Sequence, residues 1–237
     1  ITPVVSGGYI LEETGHVFRS AQLLEAKTIR FALTNVLCGG RAFRTDWNEL
    51  RQAVRKKILE LGKTAADAGL MIAIENHQDF TSAELVEFCE MTSGVGITYD
   101  TGNSFPVAES PNQFTKTVAP HVIHLQLKDY RVQFTNEGFR LVRCKIGEGA
   151  VPFDELFKEI GKHQNQLTAV LEPGALEARH VKLFKEDWWR GYPAKSATEL
   201  AKCLLATQKN PLSDKEDYRT PWEKGEDSKL VDYELQM

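Results

Sequence analysis

The sequence of 237 residues predicts an α/β fold built from parallel βαβ units. Two observations lead to this prediction. Short β-rich runs such as KTIRFAL, LMIAIE and VGITYD alternate along the chain with segments of helical periodicity. These helical segments are roughly ten or more residues long, which suits the crossover that joins two parallel strands of one sheet. We therefore expect neighbouring strands to run parallel.

The first elements follow one another without a break. The segment GHVFRSAQLLEA has the apolar spacing of a helix and comes before the strand KTIRFAL. A long amphipathic helix follows, with Asp46 as the expected N-cap and Gly69 at its expected end, because these residue types favour those positions. The strand LMIAIE and a helix with Ser82 as its expected cap come next.

The later elements continue the alternation. In order they are the strand VGITYD, the helix SPNQFTKTVA, the strand VIHLQLKD, a charge-rich loop, a Gly-rich turn that opens the helix GEGAVPFDELFKEIGKH, the strand LTAVLE and a last helix near KSATELAKCLLATQK. Residues 1–209 are expected to form one domain. Residues 210–237 are highly charged, and we expect them to form a C-terminal extension that packs on the main body or on a neighbouring subunit.

The composition is that of an ordinary globular protein, with 42% hydrophobic and 26% charged residues. No apolar stretch approaches the roughly 20 residues that span a bilayer, so we expect no membrane segment. A net charge of −4 argues against a nucleic-acid partner, which normally requires a basic patch. The four cysteines are scattered and form no CxxC pair, which favours reduced thiols in a cytoplasmic setting.

Polar side chains stand at the ends of four successive predicted strands. The runs IAIE, ITYD and AVLE end in Glu75, Asp100 and Glu172, and HLQ brings Gln126 near the end of its strand. In parallel α/β folds functional sites are built at this carboxyl edge. Three carboxylates that converge there repel one another unless a cation lies between them.

The strand VIHLQLKD carries a second polar pattern. Successive side chains of a strand face opposite ways, so His124, Gln126 and Lys128 share one face. Burying three polar groups without partners would cost several kcal/mol. We therefore expect Gln126 to face a cation, with His124 and Lys128 beside it.

Two Glu, one Asp and one Gln amide form an all-oxygen ligand set. Such hard ligands favour one divalent Mn²⁺ or Mg²⁺ ion, with Co²⁺ as the alternative, over zinc, which prefers His and Cys. The competing interpretation is that each carboxylate caps the helix after its strand. Four consecutive strands with such ends favour the shared metal.

Five motifs carry a resemblance to a known family. IAIENH, ITYDTGN, VIHLQLKD, GEGAVPFDEL and LEPG, in this order, resemble the xylose isomerase-like TIM-barrel superfamily, which includes sugar phosphate isomerases and epimerases and the AP endonuclease family 2-like proteins. The resemblance implies a (β/α)8 TIM barrel for the catalytic domain 1–209. Only five clear strands are visible, with TPVV as a sixth, so we expect the early barrel strands to be missing from the given chain.

The resemblance also implies roles for the strand-end residues. It makes Glu75, Asp100, Gln126 and Glu172 the four metal ligands, and Glu75 and Glu172 the acid/base pair. Many relatives have His at the position of Gln126, whereas hydroxypyruvate isomerases and some dehydratases use Gln. Asn103 stands where the family usually has a substrate-contacting His, which weakens the assignment as an ordinary ketose 3-epimerase.

Further polar residues near the strand ends are candidates for the site. His77 either contacts substrate and moves a proton or hydrogen-bonds to backbone. His124 is a substrate-binding candidate that also fits a satisfied core histidine, and Lys128 either faces a substrate oxyanion or pairs with a carboxylate.

Three residues on other elements complete the candidates for substrate binding. Arg30 on the strand KTIRFAL suits a carboxylated substrate if it faces the metal, and an ion pair is its alternative role. Arg131 begins the charge-rich loop and either clamps an anion or lies exposed. Trp188 either walls a sugar face or packs beneath a loop or at a dimer contact.

These patterns favour a metal-dependent enzyme that acts on a small keto sugar or sugar acid through an enediolate. Isomerisation or epimerisation is the leading reaction. A lyase with the same intermediate, a dehydratase or a decarboxylase on a 3-keto sugar or keto sugar acid, is the alternative. An AP endonuclease-like phosphodiesterase is a remote third class, because few His residues stand at strand ends. A carbohydrate is the expected small-molecule partner, and a homo-oligomer is expected from the tail and the aromatic loop.

Overall fold

A six-stranded, fully parallel sheet forms the centre of the protein in the computed structural model, which describes residues 2–174, 176 and 178–236. Its strands are β1 (Val4–Tyr9), β2 (Thr28–Ala32), β3 (Met71–Glu75), β4 (Val95–Asp100), β5 (Val122–Leu127) and β8 (Thr168–Leu171). They lie side by side in the order β1-β2-β3-β4-β5-β8. The predicted parallel βαβ arrangement is confirmed, and TPVV contributes to β1. The curled sheet is a half-barrel.

Most helices lie in the connections between these strands, and the last two follow β8 along the chain. They are α1 (Gly15–Leu23), α2 (Trp47–Asp67), α3 (Ser82–Glu90), α4 (Pro111–Val118), α5 (Phe153–Ile160), α6 (Ala197–Thr207) and α7 (Leu230–Glu234). Among the described residues, no helix combines the length and the apolar character needed to cross a membrane.

The sheet separates an apolar face from a polar one. The apolar face is fully buried and includes Ile29, Phe31, Ile72, Ile74, Ile97 and Tyr99, which form one core with Val54, Ile58, Leu61 and Ala65 of α2. Burial of each such large side chain stabilises the fold by about 1.5–3 kcal/mol. The core therefore holds the helices on one side of the sheet and leaves the other side for polar residues.

Strand register aligns the polar side chains on the second face. Glu75 is level with Thr98, and Asp100 is level with Gln126. Gln126 is in turn level with Val170, two residues before Glu172. Because paired residues of neighbouring parallel strands point to the same side, these residues share the concave face of the sheet.

The prediction of a charge-rich loop after β5 is wrong. Residues 129–144 form an antiparallel hairpin, β6 (Asp129–Thr135) and β7 (Gly138–Cys144), which β9 (Arg179–Val181) extends to three strands. The charges masked a period-two pattern: Tyr130, Val132, Phe139 and Leu141 are buried on one face, and polar residues occupy the other. The charged side chains therefore mark one face of a half-buried sheet.

Asp129 holds the Gly-rich turn that precedes α5. Its carboxylate accepts hydrogen bonds from the backbone N–H groups of Gly147, Gly149 and Val151 at 2.9–3.1 Å. A Cβ at Gly149 would lie 2.2 Å from the Asp129 carboxylate, so the close approach requires glycine. The turn therefore joins the base of the hairpin to α5.

The helix starts differ from the predictions in detail. Asp46 occupies the N-cap position of α2, but its carboxylate binds the Arg44 guanidinium instead of the helix N–H groups. The expected cap Ser82 is the first helical residue of α3, and the N-cap is Thr81, which forms a capping box with Glu84. The capping box satisfies two backbone donors, and this explains the one-residue shift.

The segment after α6 packs on the antiparallel hairpin. The Leu212 N–H donates to the Val132 carbonyl at 2.7 Å. Glu223 accepts two hydrogen bonds from Arg140 at 2.9 and 3.1 Å. These contacts attach residues 212–223 to the main body, while the division into 1–209 and 210–237 stays a prediction.

A buried arginine joins three parts of the chain. The Arg41 guanidinium pairs with Glu84 at 2.8 and 3.0 Å and lies between the rings of Trp47 and Tyr192, at 4.3 and 4.6 Å from their centres. Arg41 is 3% exposed and Glu84 is 8% exposed. The contacts tie the loop after β2 to α3 and to the segment that contains Tyr192.

We predict that Arg41→Met lowers the free energy of unfolding by about 3–5 kcal/mol, because it leaves the Glu84 carboxylate buried without its partner. Chemical denaturation followed by circular dichroism measures this loss. The double variant Arg41→Met/Glu84→Gln should recover part of it. A loss below about 1 kcal/mol would contradict the structural role of the pair.

Candidate metal centre

Three carboxylates converge at the carboxyl edge of the parallel sheet. Glu75 ends β3, Asp100 ends β4 and Glu172 directly follows β8. One ligand oxygen of each lies within 4.8 Å of those of the other two. Glu75 and Asp100 are 1% and 0% exposed. The spacing suits one shared cation, and the buried carboxylates would otherwise repel one another.

Gln126 lies beside this cluster with one side-chain atom unused. Its amide nitrogen donates to the Glu172 carboxylate at 2.9 Å. Its amide oxygen is buried and has no hydrogen-bond partner among the described residues. A buried acceptor without a partner costs free energy, and a cation would satisfy it. The four predicted ligands therefore present the all-oxygen chemistry that suits Mg²⁺ or Mn²⁺.

Two of the three cationic side chains at the cluster come from the parallel sheet and its end. Arg30 donates to the Glu75 carboxylate and, at 2.9 Å, to the Ser6 hydroxyl. Lys128 contacts both the Asp100 and the Glu172 carboxylates, the latter at 3.2 Å. These contacts are the ion pairs named above as alternatives to substrate binding. They offset the repulsion among the carboxylates.

The third cationic side chain, Arg143 on β7, was absent from the sequence analysis. Its guanidinium donates to the Glu172 main-chain carbonyl at 3.0 Å and lies 3.5 Å from the Glu172 carboxylate. The signal that identifies it is the alternation of β7, which places Arg143 on the apolar face of the hairpin beside Tyr130. A single charged residue on such a face indicates a buried partner.

Burial and charge shift the pKa values of two carboxyl groups in opposite directions. Burial raises the pKa of Asp100 to about 7, although Lys128 opposes the shift. Burial also acts to raise the pKa of Glu172, but the positive charges of Lys128 and Arg143 outweigh it, so this pKa lies below its ordinary value. Glu172 is thus the group that stays ionised at neutral pH, as a base requires.

Asparagine side chains support Asp100. The Asn103 amide donates to the Asp100 carboxylate at 2.7 Å, and the Asn103 amide oxygen is buried without a partner among the described residues. Asn76, which sequence reasoning missed, exchanges two hydrogen bonds with the Asp100 main chain at 2.7 and 2.8 Å. Asn103 therefore lies at the cluster, and its role toward substrate stays a prediction.

The two candidate histidines lie in different positions. His124 is 3% exposed, and its Nδ1 lies 2.7 Å from the Thr168 hydroxyl one strand away. The ring centre of His77 lies 6.1 Å from that of Tyr9. Burial, together with the charges of Lys128 and Arg30, lowers the pKa of His77 to about 4, so its imidazole is neutral at neutral pH.

The other two candidates have contacts away from the carboxylates. Arg131 lies on the hairpin and donates to the carbonyl groups of Asn210 and Pro211 at 3.2 and 3.3 Å. Trp188 is 1% exposed and stacks on Tyr192 with ring centres 4.6 Å apart. Their roles toward substrate stay predictions.

The family model of the xylose isomerase-like TIM barrel matches residues 12–190, and the chain belongs to this family. The resemblance that the five motifs carry is thereby confirmed, as is the TIM-barrel-like fold. The chain is similar to inosose dehydratase 1 of Bacillus cereus (strain ZK / E33L), with 29% identity over 143 residues that cover 54% of this chain and 47% of the relative. It spans about half the length of the curated relatives that it matches.

Two solved structures share the fold. The structure of D-psicose 3-epimerase in the presence of D-fructose superposes with a TM-score of 0.54 at 18% sequence identity. The superposition covers 89% of this chain and 76% of the epimerase chain. A xylose isomerase-like TIM barrel protein from Mycobacterium smegmatis in complex with magnesium has a TM-score of 0.54 at 15% identity, covering 81% of this chain and 63% of its own. At these identities the likeness concerns the fold alone.

We predict that Mn²⁺ affinity rises with pH. A cation binds the ionised form of Asp100, whose pKa burial raises to about 7, so protons compete with the metal below that pH. Isothermal titration calorimetry should give an affinity roughly tenfold lower at pH about 6 than at pH about 8. Asp100→Asn should abolish this dependence and most of the binding, whereas Glu109→Gln, which removes a carboxylate outside the cluster, should change neither. A flat pH profile in the unchanged protein would contradict the assignment.

We also predict that Lys128→Met strengthens Mn²⁺ binding and weakens the metal-free fold. The Lys128 ammonium offsets the charges of Asp100 and Glu172 and repels a cation placed beside it. Its removal should raise the affinity roughly tenfold or more. Calorimetric titration and thermal unfolding with and without Mn²⁺ measure both effects. Unchanged affinity in a folded variant would place the metal away from these carboxylates.

Proposed function

We propose that the protein is a divalent-metal-dependent enzyme that moves a proton next to the carbonyl group of a small sugar or sugar acid through an enediolate. The observation that carries this proposal is the approach of Glu75, Asp100 and Glu172 to within 4.8 Å, with the unpartnered amide oxygen of Gln126 beside them. Mn²⁺ or Mg²⁺ is the proposed cation, and these four residues are its proposed ligands. A bound divalent cation would polarise a carbonyl and its neighbouring hydroxyl and so acidify the C–H bond between them.

Glu75 and Glu172 are the proposed proton carriers. They extend from β3 and β8, with β4 and β5 and their residues Asp100 and Gln126 between them. One group, as the carboxylate, removes the proton from the α-carbon, and the other, as the carboxylic acid, returns a proton to the neighbouring carbon or to the opposite side of the same carbon. The first outcome is isomerisation and the second is epimerisation. Isomerisation and epimerisation are therefore the two leading reactions that we propose.

The cationic side chains control these two carboxylates. The hydrogen bond from Arg30 fixes the orientation of Glu75. Lys128, held by Asp100 and Glu172, supplies positive charge where an enediolate oxyanion would form. His77, as a neutral imidazole, is a proposed proton shuttle. Asn103, His124, Arg131 and Trp188 remain proposed substrate contacts.

A lyase is the second candidate function. A β-hydroxyl group can leave from the same enediolate, which gives a dehydratase. Loss of CO₂ from a β-keto carboxylate instead forms such an enediolate, and its protonation at carbon completes a decarboxylase reaction. The sequence similarity to inosose dehydratase 1 favours this outcome, and Gln126 in place of a histidine is consistent with it. The two functions share every proposed ligand, so they differ only in how the enediolate forms or collapses.

We predict that the Mg²⁺-loaded protein exchanges an α-proton of a keto sugar or keto sugar acid for deuterium in D₂O. Proton NMR follows the exchange, and mass spectrometry identifies the product. Glu172→Gln and Glu75→Gln should each slow exchange at least roughly a hundredfold, because each removes one proton carrier. Glu109→Gln is the matched control.

The product separates the two functions. An isomer with deuterium at carbon supports isomerase or epimerase chemistry, and loss of water or CO₂ supports the lyase. Absence of exchange on every substrate of the panel, in protein shown to hold Mg²⁺, would overturn the proposal.

A further inference from the structure

The candidate metal centre carries balanced charge before any cation binds. Arg30, Lys128 and Arg143 each contact at least one of the three carboxylates, and their side chains are 20%, 3% and 11% exposed. When Asp100 is ionised, as cation binding requires, these three positive charges offset three negative ones. A bound divalent cation adds two positive charges, and an uncompensated charge in a buried site is strongly unfavourable. The loaded centre, meaning the centre with a divalent cation bound, therefore requires an anion.

We infer that the substrate is a keto acid and that Arg143 receives its carboxylate. The inference rests on the proposed function and names the substrate class of that same site. A substrate carboxylate supplies part of the compensating negative charge, which a neutral keto sugar does not. Arg143 is a specificity-determining residue in this scheme, distinct from the proton carriers.

A small cavity beside Glu172 suits such a carboxylate. It has a volume of about 160 Å³, and its lining includes Arg143, Arg179, Tyr130 and Glu172. The Arg143 guanidinium contributes a positive charge to this lining. Because Glu172 lines the cavity and also belongs to the carboxylate cluster, the cavity adjoins the candidate metal centre.

The size of the cavity distinguishes a subsite from a whole binding site. Its 160 Å³ corresponds to roughly five water molecules at about 30 Å³ each, which accommodates a carboxylate and its adjoining carbon. Pockets for entire drug-sized ligands begin at about 300 Å³. Lys128 and Arg143 line a second cavity of about 260 Å³ that also includes Glu172, where the rest of a sugar acid has room.

The position of Arg143 is fixed from two sides. Its guanidinium donates to the Glu172 carbonyl at 3.0 Å, and its central carbon lies 5.0 Å from the centre of the Tyr130 ring. A planar guanidinium held in this way presents its remaining N–H donors in a fixed fork that matches a carboxylate. A lysine retains the charge but not the fork.

The test compares pairs of substrates that differ only in charge. Each pair consists of a ketohexose, such as L-sorbose, and its analogue in which the carbinol far from the ketone is a carboxylate. The rate of α-proton exchange in D₂O gives kcat/KM for both members with the Mg²⁺-loaded protein. We expect the unchanged protein to prefer the acid, and Arg143→Met to reduce this preference roughly tenfold to a hundredfold, mainly through KM.

Two further variants control the interpretation. Arg143→Lys should retain part of the preference, because the charge remains. Arg140 lies on the same strand but on its opposite face, where it pairs with Glu223, so Arg140→Met should leave the preference unchanged. A merely structural role of Arg143 would lower kcat/KM for both members of a pair equally.

The outcomes separate this inference from the proposed function. Equal exchange rates on the neutral and the acid member of each pair would overturn the inference that the substrate is an acid. An unchanged preference for the acid in Arg143→Met would overturn the role of Arg143. In both cases the proposed function would still hold. Absence of exchange on all pairs, with Mg²⁺ bound, overturns the proposed function and this inference with it.

Discussion

The mutual repulsion of three closely spaced carboxylates, two of them buried, is the constraint on which the rest of the site depends. At a separation of 4.8 Å, two unit charges repel by about 3 kcal/mol at an effective dielectric constant of roughly 20. A fold of marginal stability requires compensation for three such carboxylates. Arg30, Lys128 and Arg143 provide it, and each comes from a different strand or strand end. The compensation is therefore shared between the parallel sheet and the hairpin rather than located in one loop.

This distribution explains why the sheet register matters for chemistry. Asp100 faces the same side as Gln126 because the two are paired across β4 and β5, and a one-residue slip would turn one of them into the apolar core. The buried apolar residues of the opposite face oppose such a slip, since it would expose them. Hydrophobic packing thus sets the positions of polar groups that it never touches.

Much of this arrangement could be predicted from the sequence, because it follows from short patterns. Strand-end residues such as Glu75 and Asp100 are visible once the apolar runs before them are recognised, and the period of two assigns His124, Gln126 and Lys128 to one face. The structure brings Glu75, Asp100, Gln126 and Glu172 together as these patterns indicate. The alternation of strands and helices along the chain is sufficient to predict the parallel sheet.

The remaining parts depend on contacts between distant segments. The sequence predicts a loop where the structure has the hairpin of β6 and β7, since charged residues such as Arg140 occupy its polar face and conceal the alternation. Arg143 was missed for the same reason. Its pairing with Glu172 joins residues 29 positions apart, and no local pattern specifies that contact.

The insertion of the hairpin between β5 and β8 has a chemical consequence. The parallel strands alone bring two cations, Arg30 and Lys128, to three carboxylates. The hairpin adds Arg143, which balances the third ionised carboxylate of the metal-free centre and adds one further positive charge to a centre that holds a cation. If the substrate is an acid, as inferred above, the hairpin is therefore the part of the chain that distinguishes it from a neutral keto sugar, while the barrel strands supply the carboxylates.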